Sequence, residues 1–395
     1  MKLRAARSLL ALLAVALVAC DDDPTGPTTL DITRTVESGN VAVVDGKTAT
    51  GALFRLSQPA NWNGRLLVYA HGYVDPKLPI ALPAIDDLRR ALNAQGYAVA
   101  YSSYSENGYA IEDGIARTHE MKAIFTEQMA APARTYVFGH SLGGIITQAV
   151  AEQHPEDYAG AMPMCGLLGG SKPQLEYIAN VRVLFDALFP DVLPGSVLSV
   201  PAGTNFATQV APQLVNLFTT NQQAGITLGA LASFTQAPLP YANPTELVNS
   251  AVQALGFHFT GIADILARTN GASPIDNANV TYTSAAAPAQ LVQVANASAE
   301  RVTSTPAAQA FVERVYTPTG NLQMPTITLH TSRDPIVPAF HQGLFAAKVG
   351  AANRQGLLVQ REYNRFGHCT FTGEEMIGGI SDLVLWAERG IKPAS

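Results

Sequence analysis

The chain has 395 residues, enough to bury a large core and to hold one elaborated domain or two. Hydrophobic residues make up 47% and charged residues 14%, which excludes an intrinsically disordered chain. The net charge is −6 and no basic run follows the N-terminus, so a nucleic-acid partner is not expected.

Residues 1–20 read as a targeting signal. Lys2, Arg4 and Arg7 form a positive segment, and SLLALLAVALVA is an apolar stretch too short to span a bilayer comfortably. Leu17-Val18-Ala19-Cys20 resembles a bacterial lipobox, which implies acylation of Cys20, a membrane partner reached through that lipid, and a body held outside the cytoplasmic membrane. Residues 21–30, acidic and rich in Pro, Gly and Thr, have the composition of a flexible tether.

From residue 50 the pattern alternates strand and helix. Strands are predicted at 52–59, 65–73 and 97–104, with a helix at 85–96 stopped by Gly96. A helix over 109–130 follows, then the short strand TYVF, a glycine-rich turn, a second helix and a strand at 158–166. After a long interruption the rhythm resumes with a strand at 324–334, a helix near 338–350, a strand at 356–364 and a final helix at 374–390. Such alternation implies parallel strands with crossover helices, a doubly wound α/β sheet. The intervening 150 residues are too long for a loop and carry helix-like stretches. The expected organisation is thus a core in two parts, 31–166 and 321–395, with a mainly helical cap at 167–320.

Chemistry concentrates at Gly139-His140-Ser141-Leu142-Gly143, a G-x-S-x-G pattern between the strand TYVF and the helix LGGIITQAVAEQH. A serine at a sharp strand-to-helix turn exposes its hydroxyl above the sheet, and the helix N-terminus supplies N–H groups to a developing oxyanion. Such a nucleophile requires a base, and the base a carboxylate that orients it. In this topology the order along the chain is serine, acid, histidine, with acid and histidine in loops after late strands. Of eight histidines, His71 precedes the serine, His119 and His154 lie in helical patterns, His258 lies in the cap, and His330 and His341 lie within a strand and a helix. His368, after the last strand in Asn-Arg-Phe-Gly-His-Cys, fits the base. Asp334, after the penultimate strand in Ser-Arg-Asp-Pro-Ile-Val-Pro, fits the acid, whereas Glu374 and Glu375 suit the start of a helix. The oxyanion donors are expected from the N–H groups of Leu142 and of Tyr73 in His71-Gly72-Tyr73. Neither H-E-x-x-H, dinucleotide G-x-G-x-x-G nor C-x-x-C occurs, so no metal or other cofactor is expected.

Taken in order, HGY, GHSLGG, DPIVP and GHC resemble the α/β-hydrolase superfamily over about residues 50–166 and 320–392. PEDYAGAMPMCG and FGHCTFTGEE resemble secreted bacterial esterases with a large cap, near the feruloyl esterase and tannase types. The resemblance implies a serine hydrolase acting on small or polymeric carboxylic esters. A peptidase or amidase using the same triad, and a silent surface-anchored binding protein, remain alternatives. In that fold Cys165 sits on the catalytic edge and Cys369 adjoins His368, so the two either form a disulfide that pins the histidine loop or remain buried free thiols. Apolar cap stretches such as LVNLF and LGFHFTGI face either a pocket or the cap's own core. Tyr104 and Tyr109 either line the acyl site or form surface loop.

Overall fold

A computed structural model describes residues 27–394. The targeting segment, Cys20 and residues 21–26 of the expected tether lie outside the described residues. Nine strands form one sheet: β1 (Thr29–Glu37), β2 (Val41–Thr48), β3 (Leu53–Pro59), β4 (Arg65–Ala70), β5 (Ala98–Ser102), β6 (Arg134–His140), β7 (Gly160–Met164), β8 (Thr326–Arg333) and β9 (Leu358–Phe366). Their spatial order is β1-β2-β3-β5-β4-β6-β7-β8-β9. The three pairings from β1 to β5 are antiparallel, and the five from β5 to β9 are parallel.

The parallel strands are buried on both faces, and their side chains divide with period two. Leu66, Val68 and Ala70 of β4 join the core under α2 (Ile111–Gln128) and α3 (Leu142–Gln153). Leu67 and Tyr69 join the opposite core, with Leu92 of α1 (Asp86–Ala94) and Leu383 and Trp386 of α11 (Gly373–Arg389). Helices therefore cover both faces, as the alternating sequence implied.

The sequence pattern missed β1 and β2. β1 is an edge strand, mostly exposed and without apolar alternation, and it begins at Thr29, inside the expected tether. It is held at its end by Glu37, which accepts hydrogen bonds from the fully buried Arg89 of α1.

Between β7 and β8 lie α4 (Ser171–Leu188), α5 (Ala211–Thr220), α6 (Gln222–Ala232), α7 (Pro244–Arg268), α8 (Ala289–Ser298) and α9 (Pro306–Arg314), and α10 (Phe340–Ala351) lies between β8 and β9. Their buried side chains, among them Phe185, Leu214, Leu228 and Leu255, belong to the same apolar cluster as the α2–α3 face of the sheet. α7 is also tied to the loop after β5. Asp264 accepts the Tyr109 N–H at 2.6 Å, and Arg268 pairs with Glu106 and donates to the Asn107 carbonyl. No helix among the described residues is long and apolar enough to cross a membrane.

Candidate active site

Ser141 occupies the turn between β6 and α3 with φ 56° and ψ −122°, a conformation costing a non-glycine residue about 1–3 kcal/mol. What over-determines it is the close packing around it. A Cβ on Gly143 would overlap the Ala70 carbonyl at the end of β4, and one on Gly144 would lie 2.8 Å from the Gly166 Cα just beyond β7. The Ser141 N–H donates to the Met164 carbonyl at 2.9 Å. The turn is thus wedged between β4 and β7.

Both segments expected to carry the oxyanion donors pass beside this serine. Leu142 is the first residue of α3, where an N–H has no carbonyl four residues back within the helix. Gly72 passes beside the serine, since a Cβ there would stand 3.2 Å from the Ser141 Cβ. The His71 Nδ1–H donates to the Gly72 carbonyl at 2.7 Å. That carbonyl and the Tyr73 N–H belong to one trans peptide and point oppositely. Fixing the carbonyl on the His71 ring therefore fixes the direction of the Tyr73 N–H. Tyr104 supports the same loop: its ring stacks on His71 at 3.7 Å, and its hydroxyl donates to the His71 carbonyl. Tyr104 and Tyr109 are both buried, so neither forms surface loop.

The base and acid arrive from the far end of the chain. The Ser141 Oγ and the His368 Nε2 are 2.7 Å apart, and the His368 Nδ1–H donates to the Asp334 Oδ2 at 2.6 Å. The second carboxylate oxygen accepts the N–H groups of Ile336 and Val337 at 2.9 and 3.0 Å. Asp334 is fully buried, yet each oxygen has a partner, which is what keeps a buried carboxylate tolerable. With Nδ1 donating to a carboxylate, Nε2 is left to accept the serine proton.

Beneath the acid lies a buried polar network that sequence reasoning did not find. The His330 Nε2–H donates to the Val337 carbonyl, and its Nδ1 accepts from Gln342. The His341 Nδ1 accepts the Gly169 N–H, and its Nε2–H donates to Gln174. Gln174 in turn donates to the Ile336 carbonyl, and the Tyr177 hydroxyl donates to the Pro335 carbonyl. All three carbonyls after Asp334 are therefore held, two of them by α4 at the start of the insertion. The available signal was Thr326, Thr328 and His330, polar residues alternating on one face of a strand buried on both sides.

Burial keeps these imidazoles uncharged. It lowers the pKa of His330, takes those of His140 and His258 down to about 4, and takes that of His341 down to about 3. His140 sits below the turn against Met376, with the His368 charge adding to the effect.

The structure joins Cys165 and Cys369 in a disulfide, with Cα atoms 5.4 Å apart. It links the residue after β7 to the residue after the base. Glu375, the competitor for the acid, caps α11 with Thr372 and pairs with Arg365.

A serine on a strained β6–α3 turn, with acid and base after β8 and β9 of this sheet, defines an α/β-hydrolase fold. The sequence matches no family model and no curated protein. Two solved structures of similar fold come from Aspergillus oryzae. Feruloyl esterase B aligns at 15% identity and TM-score 0.55, over 93% of this chain and 88% of its own. An esterase aligns at 14% identity and TM-score 0.54, over 93% and 86%. At these identities the likeness is one of fold.

Two outcomes follow from this geometry. Buried histidines with lowered pKa values leave the unfolded chain binding more protons between about pH 6.5 and 4. The stability they contribute is present above pH 6.5 and is lost as the pH falls towards 4. Thermal melts should show Tm falling across that window, with a shallower slope in His341→Gln; a flat profile contradicts the assignment. Peptide mapping of the alkylated, unreduced protein should recover Cys165 linked to Cys369. Cys369→Ser should lose about 2–5 kcal/mol of stability by chemical denaturation.

Proposed function

We propose that the protein is a carboxylic ester hydrolase that works through an acyl-enzyme on Ser141. The observation that carries this reading is the continuous chain Ser141 Oγ to His368 Nε2, and His368 Nδ1 to Asp334 Oδ2, at 2.7 and 2.6 Å. His368 takes the serine proton as Oγ attacks the ester carbonyl carbon. The C=O electron pair moves onto oxygen, where the N–H groups of Leu142 and Tyr73 receive the charge, a contribution of about 3–4 kcal/mol per donor. The tetrahedral species collapses, the C–O bond to the alcohol breaks, and His368 returns its proton to the leaving oxygen. Water then repeats the sequence on the acyl-serine and releases the acid. Asp334 holds the imidazole and stabilises its charged form. The names of the two similar fungal structures, both esterases, point the same way.

We further propose that the protein is exported and tethered by a lipid on Cys20, as the Leu17–Cys20 segment suggests. A disulfide beside the base suits an oxidising compartment.

Short p-nitrophenyl esters should be hydrolysed and peptide anilides should not. Ser141→Ala should abolish turnover and fluorophosphonate labelling while leaving the far-ultraviolet spectrum and Tm intact. Asp334→Asn should lower kcat by about 10⁴. A folded Ser141→Ala protein with wild-type activity sinks the assignment. In a bacterial host, the wild-type chain should fractionate with membranes and incorporate labelled palmitate, and Cys20→Ala should do neither.

A further inference from the structure

Tyr73 carries the second expected oxyanion donor, and residues 71–85 around it lie between β4 and α1 outside any strand or helix. The shape of this stretch therefore depends on what holds it from outside. Behind Tyr73, the His71 ring holds the Gly72 carbonyl. Ahead of it, the Val74 carbonyl accepts the Gly108 N–H at 2.8 Å. That N–H and the Asn107 carbonyl belong to one trans peptide and point oppositely. The Asn107 carbonyl accepts from Arg268 Nη2 at 2.9 Å, so Arg268 aims the Gly108 N–H at Val74. Asp264, one helical turn earlier on α7 and with its side chain 7% exposed, accepts the Arg268 Nε–H through Oδ1 at 2.9 Å. Its other oxygen takes the Tyr109 N–H at 2.6 Å. Gly108 has a φ of 90°, and a Cβ there would stand 2.5 Å from Asp264 Oδ2, so the carboxylate fits against bare backbone. From the same helix, Phe257 packs edge-to-face on the Tyr73 ring with centroids 5.5 Å apart.

We propose that Asp264 and Arg268 of α7 are positioning residues for the oxyanion hole. Through the Asn107–Gly108 peptide they set the Val74 carbonyl, and with it the direction of the Tyr73 N–H. The proposal rests on the ester-hydrolase reading above. Both residues act through backbone groups, and the effect is one of aim: a hydrogen bond weakens steeply as its donor turns off line. The Arg268 pair with Glu106, 51% exposed, is open to solvent screening and contributes little to that aim. The insertion then does more than cover the serine, since its longest helix completes the backing of one oxyanion donor.

The test uses a short p-nitrophenyl ester and an alkyl trifluoromethyl ketone, whose carbonyl Ser141 attacks to leave an oxyanion in the hole. Sites are counted by fluorophosphonate titration carried to completion. Arg268→Lys keeps the charge beside Asp264 and loses the second arm to the Asn107 carbonyl. It should lower kcat at least about tenfold with KM unchanged, part of the roughly 10²–10³-fold that a whole donor supplies. The ketone should bind more weakly by the same factor, because it draws on the hole as the transition state does. Asp264→Asn should act in the same direction, and it carries the comparison if Arg268→Lys does not fold. Glu106→Gln removes only the exposed ion pair and should leave kcat and ketone affinity as in the wild type. A lowered Tm with kcat and ketone affinity unchanged in Arg268→Lys and Asp264→Asn overturns the proposal, as does a raised KM at wild-type kcat. If the wild type turns over esters while both variants match it, only the positioning role is wrong. If Ser141 is neither labelled nor active on any ester, the hydrolase reading falls and the positioning role with it.

Discussion

The site depends on one steric constraint, the absence of side chains at Gly143 and Gly144. There the first turn of α3 runs against the Ala70 carbonyl and the backbone after β7, with no room for a Cβ on either side. This contact forces the chain to reverse within one residue, and Ser141 absorbs the reversal in a backbone conformation it would not adopt freely. The strain is held because β4, β6 and β7 are adjacent parallel strands buried on both faces. A sheet so clamped cannot relax to relieve one residue. The exposed hydroxyl and the free N–H at the start of α3 both follow from that reversal.

The acid and base are supported by a different kind of constraint. β8 and β9 end in loops whose positions are set by polar contacts. Asp334 is fixed by its own loop N–H groups, and the carbonyls of that loop are fixed by His330, Gln174 and Tyr177. The His368 loop is tied to β7 through the disulfide. α4 therefore does two jobs: it packs in the apolar core shared with the sheet and it braces the acid loop. The first helix of the insertion shares the core of the sheet, and its hydrogen bonds reach the residues next to Asp334.

Much of this was legible in one dimension. The alternation of strand and helix from residue 50, the serine turn and the order of Asp334 and His368 reflect short-range rules: period-two burial, glycine at tight approaches, and loops at one sheet edge. β1 and β2 were not legible, because an exposed edge strand needs no apolar alternation and its pairing is decided by distant partners such as Arg89. His330 and His341 were set aside as strand and helix residues. Their roles depend on partners 7 to 172 positions away, which no local pattern encodes.

The sequence by itself determined the fold class, the strained turn and the three residues that meet there, because backbone sterics and chain order admit few alternatives once the glycines are placed. Only the tertiary structure decided that His71 aims the Tyr73 N–H, that α4 braces the acid loop, and that Asp264 and Arg268 of α7 hold the loop that pairs with Val74. Those are statements about which polar groups find partners after burial. That outcome depends on the packing of segments far apart in the chain.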